Sequence, residues 1–486
     1  MTGEIDDKFF PPPSHRGGPA NALAPRTWPG VSPASTAALQ AILTDNHKKW
    51  HVFFNERGFH NHTAHAALTL WSLGVDETIL HKSYEENAKE QRPAFASPNA
   101  ITKKNWKDYL GDENYYQGYL EFFKGELEHK SISVMLEEYV FSADANFVSG
   151  AKTHPEMLNR FLEGLLHPMI HTGFGVEFSL PGLSQAAVHG ASSTKVIPAA
   201  WFNQYESLSS RFASAVGFGD KSAKKDVHAL TVLARILADP IFAPTKVADM
   251  YGFYKETVET LGDSIRKYVD EWTLDGDLEK KLEDLIWTNT LIYGVGGAEA
   301  PTFNADFFHM HLVTSSVFLS SIFSHLKQSS QLVLLRSYFA VSLGWYIGRG
   351  RPSLDIAGFF KNPDTILPAA PGPQPTPHKA TYPSATSSHA ITPDPWLAIL
   401  QSTITYPDDH LPKLQRALSE HAAHFGNVRA GTFAGTELKD AELIDGSLFI
   451  RTAGLTANRL GWVREGQPPL EGVWDRHGFF NVLCKL

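Results

Sequence analysis

Apolar residues between about positions 36 and 350 recur mainly at the three- and four-residue spacing of one helix face. Leu39, Ile42 and Leu43 show this spacing in the first segment, which follows Ser35, a residue type that caps helix N-termini. The pattern predicts helices over residues 36–54, 62–73, 106–127, 132–141, 155–166, 227–238, 248–268, 278–293, 307–326, 332–347, 395–405 and 410–425.

Three regions depart from this pattern. Residues 1–35 are rich in proline and glycine, so we expect an extended N-terminal arm over the surface. Residues 362–395 are dense in Pro, Ser and Thr, which predicts an ordered wrap or a flexible linker with some polyproline II conformation. Beyond residue 426 the helical pattern is lost, and short β-like segments occur at 448–452 and 461–463.

The predicted fold class is therefore all-α or mainly α. We expect a single large helical domain, the catalytic domain, over residues 36–426, which includes the Pro-rich wrap. A small irregular C-terminal piece, 427–486, is expected to pack on the same domain.

Composition excludes several classes of protein. The 486-residue chain can bury a large core, and its net charge of −9 and lack of a strong basic run argue against nucleic-acid binding. Cys484 is the only cysteine, which excludes an internal disulfide. The N-terminus lacks the basic start and apolar core of a signal peptide, so we expect a reducing, cytoplasmic location. Residues 307–326 are uncharged but contain His309 and His311, which favours a buried helix over a membrane span.

Common catalytic signatures do not occur in the sequence. There is no P-loop, no HExxH zinc helix and no G-x-S-x-G elbow. The glycine-rich segment 294–300 has Glu299 where the dinucleotide fingerprint needs its third glycine, so we expect a tight turn between helices there. A carboxylate-bridged di-iron bundle needs two Glu-x-x-His helices, and only the charged segment 126–129 matches.

Histidine stands out among the chemistry-bearing residues, with 22 copies. Several lie in apolar helical segments, three or four positions apart, so that two side chains project near one helix face. Neutral imidazole is the commonest metal ligand, and an imidazole-rich set suits iron, zinc or copper better than magnesium or calcium. The candidates are His62 with His65, His167 with His171, His311 with His309 on another face, and His410 with Lys413.

These residues also have a purely structural interpretation. A single histidine on an apolar helix is more often a hydrogen-bonded core residue than a ligand. Pro168 interrupts the spacing of His167 and His171, which would place them on a bent turn. Lys413 would then simply extend to the surface. Four such segments in one mostly apolar chain favour a shared metal site instead.

The same four segments resemble the recurring blocks of a known family. HNHTAHAALTLWSLG, LLHPMIHTGFGVEF, FHMHLVTSSVFL and DDHLPKLQRAL follow the order of blocks in the questin oxidase-like proteins of fungal polyketide pathways, over roughly residues 45–425. The resemblance implies an oxygenase that opens a ring of an anthraquinone-like aromatic polyketide. Some members are described as NADPH-dependent, and at least one resembles a mononuclear non-haem iron dioxygenase with four histidines and a carboxylated lysine.

Carried over to this sequence, the resemblance implies an iron(II) ion bound by four imidazoles, those of His65, His167, His171 and His311. Lys413 would be the carboxylated lysine, since it lies in the DDHLPKL block, and Pro412 before it is compatible with a first helical turn. Carboxylation needs a neutral amine, so burial must lower the lysine pKa. His62 and His410 would replace one of the four ligands or orient one of them.

Other functions stay open on sequence alone. One is an NADPH-dependent Baeyer–Villiger-type monooxygenase of a mycotoxin pathway, although no flavin or nicotinamide fingerprint occurs. A zinc hydrolase and a non-catalytic helical scaffold are two more. The expected partners are dioxygen and a small aromatic substrate, for which 31 Phe, 15 Tyr and 11 Trp offer ample pocket-lining rings. The sequence does not define the exact substrate or the oligomeric state.

Overall fold

α-Helices make up the regular structure of the protein. The computed structural model describes residues 7–14, 19–184, 226–244, 253–298, 302–362, 370–470, 472 and 474–480. Within these residues there is no β-strand, and strand-like pairing is limited to isolated bridges. The mainly α fold class is thus confirmed. The helices are α1 (Pro33–Lys49), α2 (Thr63–Ser72), α3 (Glu77–Ala88), α4 (Tyr116–Leu127), α5 (Ile132–Leu136), α6 (Met157–Leu162), α7 (His167–Glu177), α8 (Pro181–Ser184), α9 (Ala229–Ala238), α10 (Phe253–Glu271), α11 (Leu278–Gly297), α12 (Phe307–Ser316), α13 (Leu319–Phe323), α14 (Gln328–Gly348), α15 (Ile356–Lys361), α16 (Ser388–Ile391), α17 (Pro395–Thr403), α18 (His410–Phe425) and α19 (Ser447–Leu460).

The first helix begins three residues earlier than predicted. Ser32, not Ser35, is its N-cap, and the two serines form a reciprocal capping box in which each hydroxyl accepts a hydrogen bond from the other's backbone N–H. Pro33 follows at the first helical position, where a missing N–H costs nothing. Cys484 and the predicted helix start at residue 248 lie outside the described residues.

Several local predictions were wrong, and the β-like piece predicted at 461–463 forms no strand. Residues 448–452 lie inside α19, where Phe449, Ala453 and Ala457 recur four apart and are buried. A five-residue window is too short to separate this period from that of a strand. The glycines of 294–297 do not form a turn but complete α11. Gly294 belongs there because a Cβ would lie 2.2 Å from the Thr452 hydroxyl oxygen.

A buried ion pair fixes the start of the central helix α12, which packs against α11 and α18. Asp306 is the N-cap of α12, and its carboxylate accepts hydrogen bonds from the backbone N–H groups of Phe308 and His309. Arg349, just after α14, donates to the same carboxylate at 2.7 Å. Because removing one partner of a buried pair costs about 3–5 kcal/mol, this pair holds the first turns of α12, and with them His311, in place.

No helix in the described ranges is long and apolar enough to cross a membrane. The uncharged stretch 307–326 forms two buried helices, α12 and α13, where the sequence predicted one.

Candidate active site

Four imidazoles from four helix N-termini or first turns form a closed square. His62 directly precedes α2, His167 begins α7, His311 lies in α12 and His410 begins α18. Neighbouring ring centroids are 4.7 Å apart for His62 and His167, 5.0 Å for His167 and His311, 5.3 Å for His311 and His410, and 4.8 Å for His410 and His62. We call these four residues the histidine square. The four predicted sequence blocks therefore meet at one place.

One ring nitrogen of each of three histidines in the square is held by a fixed partner. His62 Nδ1 lies 2.7 Å from Asp409 Oδ2, His167 Nδ1 lies 2.5 Å from the Gly164 carbonyl, and His311 Nδ1 lies 2.7 Å from the Phe307 carbonyl. The other nitrogens stay within the group. His62 Nε2 and His167 Nε2 are 2.7 Å apart, and buried His311 Nε2 has no partner among the described residues.

His65 and His171 lie behind the square. The His65 ring centroid is 5.6 Å from that of His62 and 6.4 Å from that of His167. Its Nε2 contacts His171 Nδ1 at 2.9 Å, whereas its buried Nδ1 has no partner in the described part of the chain. His171 also lines a separate small cavity that contains His47. His171 thus contacts His65, and His65 contacts the histidine square.

Helix α7 is regular, so His167 and His171 do not sit on a bent turn. Pro168 occupies the first turn, where proline is tolerated. Gly164, Leu165 and Leu166, directly before α7, are all left-handed, with φ of 55°, 59° and 66°. This conformation costs a leucine roughly 1–2 kcal/mol, so the surrounding packing must impose it. The turn brings the Gly164 carbonyl to His167 Nδ1 and thereby sets the ring's position.

Burial favours the neutral form of four of the clustered imidazoles. It lowers the pKa of His62 to about 4, and the Lys413 charge adds to this while Asp409 opposes it. Burial is also the main reason that the pKa lies well below the ordinary histidine value at three further positions, His65, His167 and His311. The Lys413 charge contributes at all of them. Neutral imidazole is the form that binds a metal ion.

Two adjacent aspartates at the start of α18 have different contacts. Asp408 Oδ1 accepts hydrogen bonds from the backbone N–H groups of His410 and Leu411, at 2.9 and 3.1 Å. The Asp409 side chain is therefore free to face the histidine square, where it lies 3.0 Å from His410 Nδ1. Burial lowers the pKa of His410, but the two carboxylates outweigh it and the net shift is upward. Burial raises the pKa of Asp409, yet the neighbouring cations hold it well below its usual value.

The Lys413 side chain points inward. It is 8% exposed, and its Nζ lies 3.1 Å from Asp409 Oδ2, the same oxygen that contacts His62. Lys413 therefore does not extend to the surface along its helix. Because Asp409 occupies the amine of Lys413, carboxylation of this lysine requires that the contact between the two side chains first opens.

A cavity of about 540 Å³ adjoins the histidine square. His62, His167, His410 and Asp409 lie in its wall together with His60, whose ring stacks on His167 at 4.8 Å. The rest of the wall combines six aromatic rings with charged and polar side chains; the rings are those of Phe54, Phe59, Tyr254, Phe307, Phe308 and Trp345. This size and lining suit a flat aromatic ligand.

The donor set fits a transition metal of borderline softness. His311 Nε2 and His65 Nδ1 are buried polar atoms that lack a protein partner in the described ranges. The 2.7 Å between His62 Nε2 and His167 Nε2 is close to the roughly 3 Å between adjacent ligand atoms on one ion with bonds of about 2.0–2.1 Å. Ligand atoms of His62, Asp409 and His410 also lie within 4.8 Å of one another. Imidazoles with one carboxylate are ligands that iron accepts.

Some residues of the site were not predicted from the sequence. His60 belongs to the same FHNHTAH block as His62, and Asp409 directly precedes His410, but neither was among the candidate residues. Arg476 lines the cavity from an irregular C-terminal segment that carries no periodic signal. His309, as expected, faces elsewhere, and its ring stacks on Phe479 at 5.6 Å.

Comparison with known proteins identifies the family of this chain. Residues 59–418, which include the whole histidine square and Lys413, match the family described as questin oxidase-like. The chain belongs to the questin oxidase-like family. It is 24% identical over 436 residues to a Baeyer-Villiger oxidase of Pestalotiopsis fici, covering 87% of each protein. It is 25% identical over 406 residues to the questin oxidase of Aspergillus terreus, covering 81% of this chain and 82% of that protein.

A further relative is a Baeyer-Villiger monooxygenase of Cryptosporiopsis, 27% identical over 331 residues that cover 65% of this chain and 70% of that protein. As a questin oxidase-like protein with such relatives, the chain is an oxidoreductase. The predicted family and enzyme class are both confirmed.

Proposed function

We propose that this protein is an iron(II)-dependent oxygenase that oxidatively cleaves a ring of an anthraquinone-like aromatic polyketide. The observation that carries the proposal is that the two ring nitrogens of the clustered histidines have different surroundings. His62, His167, His311 and His65 each have one nitrogen held by a fixed partner, which leaves the other nitrogen for a ligand. Ligating histidines in metalloproteins are typically held in this way, because the partner fixes tautomer and ring orientation.

We therefore propose His62, His65, His167 and His311 as the four metal ligands, whose free nitrogens must move closer together when the ion binds, since among the described residues His62, Asp409 and His410 are the group with ligand atoms already within 4.8 Å of one another. His171, which the family resemblance placed among the ligands, instead orients His65 through the 2.9 Å contact between Nδ1 and Nε2. The anionic ligand is then Asp409 or a carboxylated Lys413.

The bound iron would supply the one-electron chemistry that dioxygen needs to react with an electron-rich aromatic ring. The chain's own residues hold the substrate for this reaction. Phe307, Phe308 and Trp345 offer faces for stacking within the cavity. His410 also lines the cavity, and its Nε2, which has no partner among the described residues, can hydrogen-bond a substrate oxygen.

The decisive experiment uses anaerobically purified, iron-loaded protein with chemically reduced 1,8-dihydroxyanthraquinone and ¹⁸O₂ gas. A ring-opened product with both labelled atoms is expected. Zinc-loaded protein serves as the control and should be inactive, because zinc has no redox chemistry. Turnover without oxygen, or full activity after complete removal of iron, would contradict the proposal.

A Baeyer–Villiger-type monooxygenase is the second candidate. It is favoured by the names of the Pestalotiopsis and Cryptosporiopsis relatives. The same assay separates the two reactions, since a monooxygenase incorporates one labelled atom and the other leaves as water. A strict NADPH requirement with substrate that is already reduced would favour the monooxygenase, whereas NADPH that only reduces the quinone would be dispensable.

A further inference from the structure

Residues 474–480 form a strap beside the cavity, beyond the family match that ends at residue 418. Trp474 Nε1 donates a hydrogen bond to Asp408 Oδ1 at 3.0 Å. Asp475 accepts through its side chain from Ala305 N–H at 2.9 Å and through its carbonyl from Phe307 N–H at 2.9 Å. These bonds attach the strap to the first residues of α12 and to the turn before α18. Position 476 is therefore fixed by the same elements that carry His311 and His410.

Arg476 projects from this strap into the cavity wall. Its guanidinium carbon lies 3.9 Å from the ring centroid of Phe307. The Phe307 ring in turn lies 4.8 Å from the ring of His311 and 4.9 Å from that of His410. The Arg476 guanidinium is thus separated from the histidine square by the Phe307 ring. In a polycyclic substrate, a substituent on one ring lies at a similar distance from the neighbouring ring that reacts.

The charge of Arg476 is not balanced by an ion pair in the described part of the chain. Of the nearby acids, Asp475 pairs with Arg459 at 2.7 Å and Asp409 with Lys413 at 3.1 Å, while Glu90 and Glu163 line the same cavity without an ion pair to Arg476. Arg476 itself has no ion pair among the described residues, and its contact is with an aromatic face. A guanidinium carries five N–H donors in a planar fork that matches the two oxygens of a carboxylate. A half-buried fork of this kind, open to a ligand cavity, is suited to an anionic ligand group.

We propose that Arg476 binds a carboxylate on the substrate, so that the enzyme prefers an aromatic acid to the corresponding neutral ester. This inference rests on the proposed function in one respect, namely that the substrate is a polycyclic aromatic compound held in this cavity. The carboxylate and the stacked rings together orient the substrate. Arg476 would therefore determine specificity without taking part in bond cleavage.

The test measures binding in the absence of oxygen, with full-length protein and three probes: anthraquinone-2-carboxylate, its methyl ester and unsubstituted anthraquinone. Quenching of tryptophan fluorescence reports binding, because Trp345 lines the cavity. We expect wild-type protein to bind the acid at least about tenfold more tightly than the ester. Arg476→Gln should lose this preference and bind the ester with wild-type affinity. Arg476→Lys should retain part of it, because the charge remains but the fork is lost.

Arg57→Gln is the matched control, since Arg57 is an exposed cation that lines the same cavity. It should keep the preference for the acid. Equal affinity of wild-type protein for acid and ester, or loss of the preference in Arg57→Gln instead of Arg476→Gln, would overturn the assignment while leaving the proposed oxygenase function intact. Failure of all three probes to bind would contradict both proposals.

Discussion

The Nε2 atoms of His62 and His167 lie 2.7 Å apart, although the two residues are separated by 105 positions in the chain. Both imidazoles are neutral, and each has its single N–H at Nδ1, which donates to Asp409 in His62 and to the Gly164 carbonyl in His167. The two Nε2 lone pairs therefore face each other with no proton between them, an arrangement that a bound metal ion would stabilise. Because protons compete with the metal ion for these nitrogens, we expect iron binding to weaken as the pH falls.

Substitution of single histidines should distinguish the two ligand sets. His62→Asn removes an assigned ligand and should abolish stoichiometric iron binding. His171→Asn removes only the group that orients His65 and should weaken iron binding by about 10–100-fold. Metal analysis and iron titration of the purified variants provide the measurement, with His309→Gln as a buried control outside the square. Full iron retention by His62→Asn, together with complete loss in His171→Asn, would restore the ligand set implied by the family resemblance.

The adjacent aspartates form a matched pair for a stability test. Asp409→Asn removes the charge that faces buried Lys413 and should destabilise the metal-free protein by about 3–5 kcal/mol. Asp408→Asn should cost roughly 1 kcal/mol or less, because asparagine caps helices as well as aspartate does. Urea unfolding of both variants measures the difference. Equal losses of stability would show that the Asp409–Lys413 pair contributes no more than the helix cap.

Lys413→Ala should abolish turnover and weaken iron retention, because the anionic ligand that a carboxylated Lys413 would supply is lost. Carboxylation is tested separately by ¹³C NMR of protein equilibrated with ¹³C-bicarbonate. We expect a carbamate signal only in the metal-loaded protein, since without metal the Lys413 amine is occupied by its contact with Asp409 at 3.1 Å. Wild-type activity in Lys413→Ala would exclude both roles, and a carbamate signal in that variant would place the modification elsewhere.

Acid should destabilise the metal-free protein. Burial lowers the pKa of His62 and of His171 from 6.5 to about 4. Between these pH values the unfolded chain binds more protons than the folded one. The free energy of unfolding therefore decreases as the pH decreases, by up to about 1.4 kcal/mol per pH unit for each such histidine. His410 acts in the opposite sense, because its pKa is raised and its contribution is lost as the pH increases. More of the buried histidines have a lowered pKa than a raised one, so the net effect of acid is a loss of stability.

The measurement is the urea midpoint at about pH 7, 6 and 5, with a steep decline expected below pH 6.5. His129→Gln, a substitution of an exposed histidine, should show the wild-type decline. His171→Asn should show a shallower one. A midpoint that does not change with pH would mean that these histidines have the same proton affinity in the folded and unfolded chain.

The sequence predicted the mainly helical fold and the four segments that form the site. Helical spacing placed His62 near His65 and put Lys413 one turn after the start of its helix, and the family resemblance joined the segments. Spacing did not reveal that His167, at the first position of α7, meets the square while His171 contacts it through His65. Ring direction at a helix start depends on the preceding turn.

That turn could not be foreseen from residue types. Leu165 and Leu166 adopt a left-handed conformation that leucine rarely takes, so only tertiary packing explains it. Arg476 was missed for a related reason, because its position depends on the contacts of the strap and not on any periodic pattern. The short β-like assignment at 448–452 failed because local pattern competes poorly with the packing of a buried helix.

The long sequence distance between the blocks of the histidine square affects how the enzyme forms and how long it lasts. A nascent or partly folded chain offers only local pairs such as His62 and His65, and loop closure over hundreds of residues must precede the rest. Metal should therefore bind late and leave the refolding rate nearly unchanged. Because it stabilises contacts made after the rate-limiting step, it should act mainly by slowing unfolding. Iron would then determine the lifetime of the folded enzyme more than the speed at which it appears.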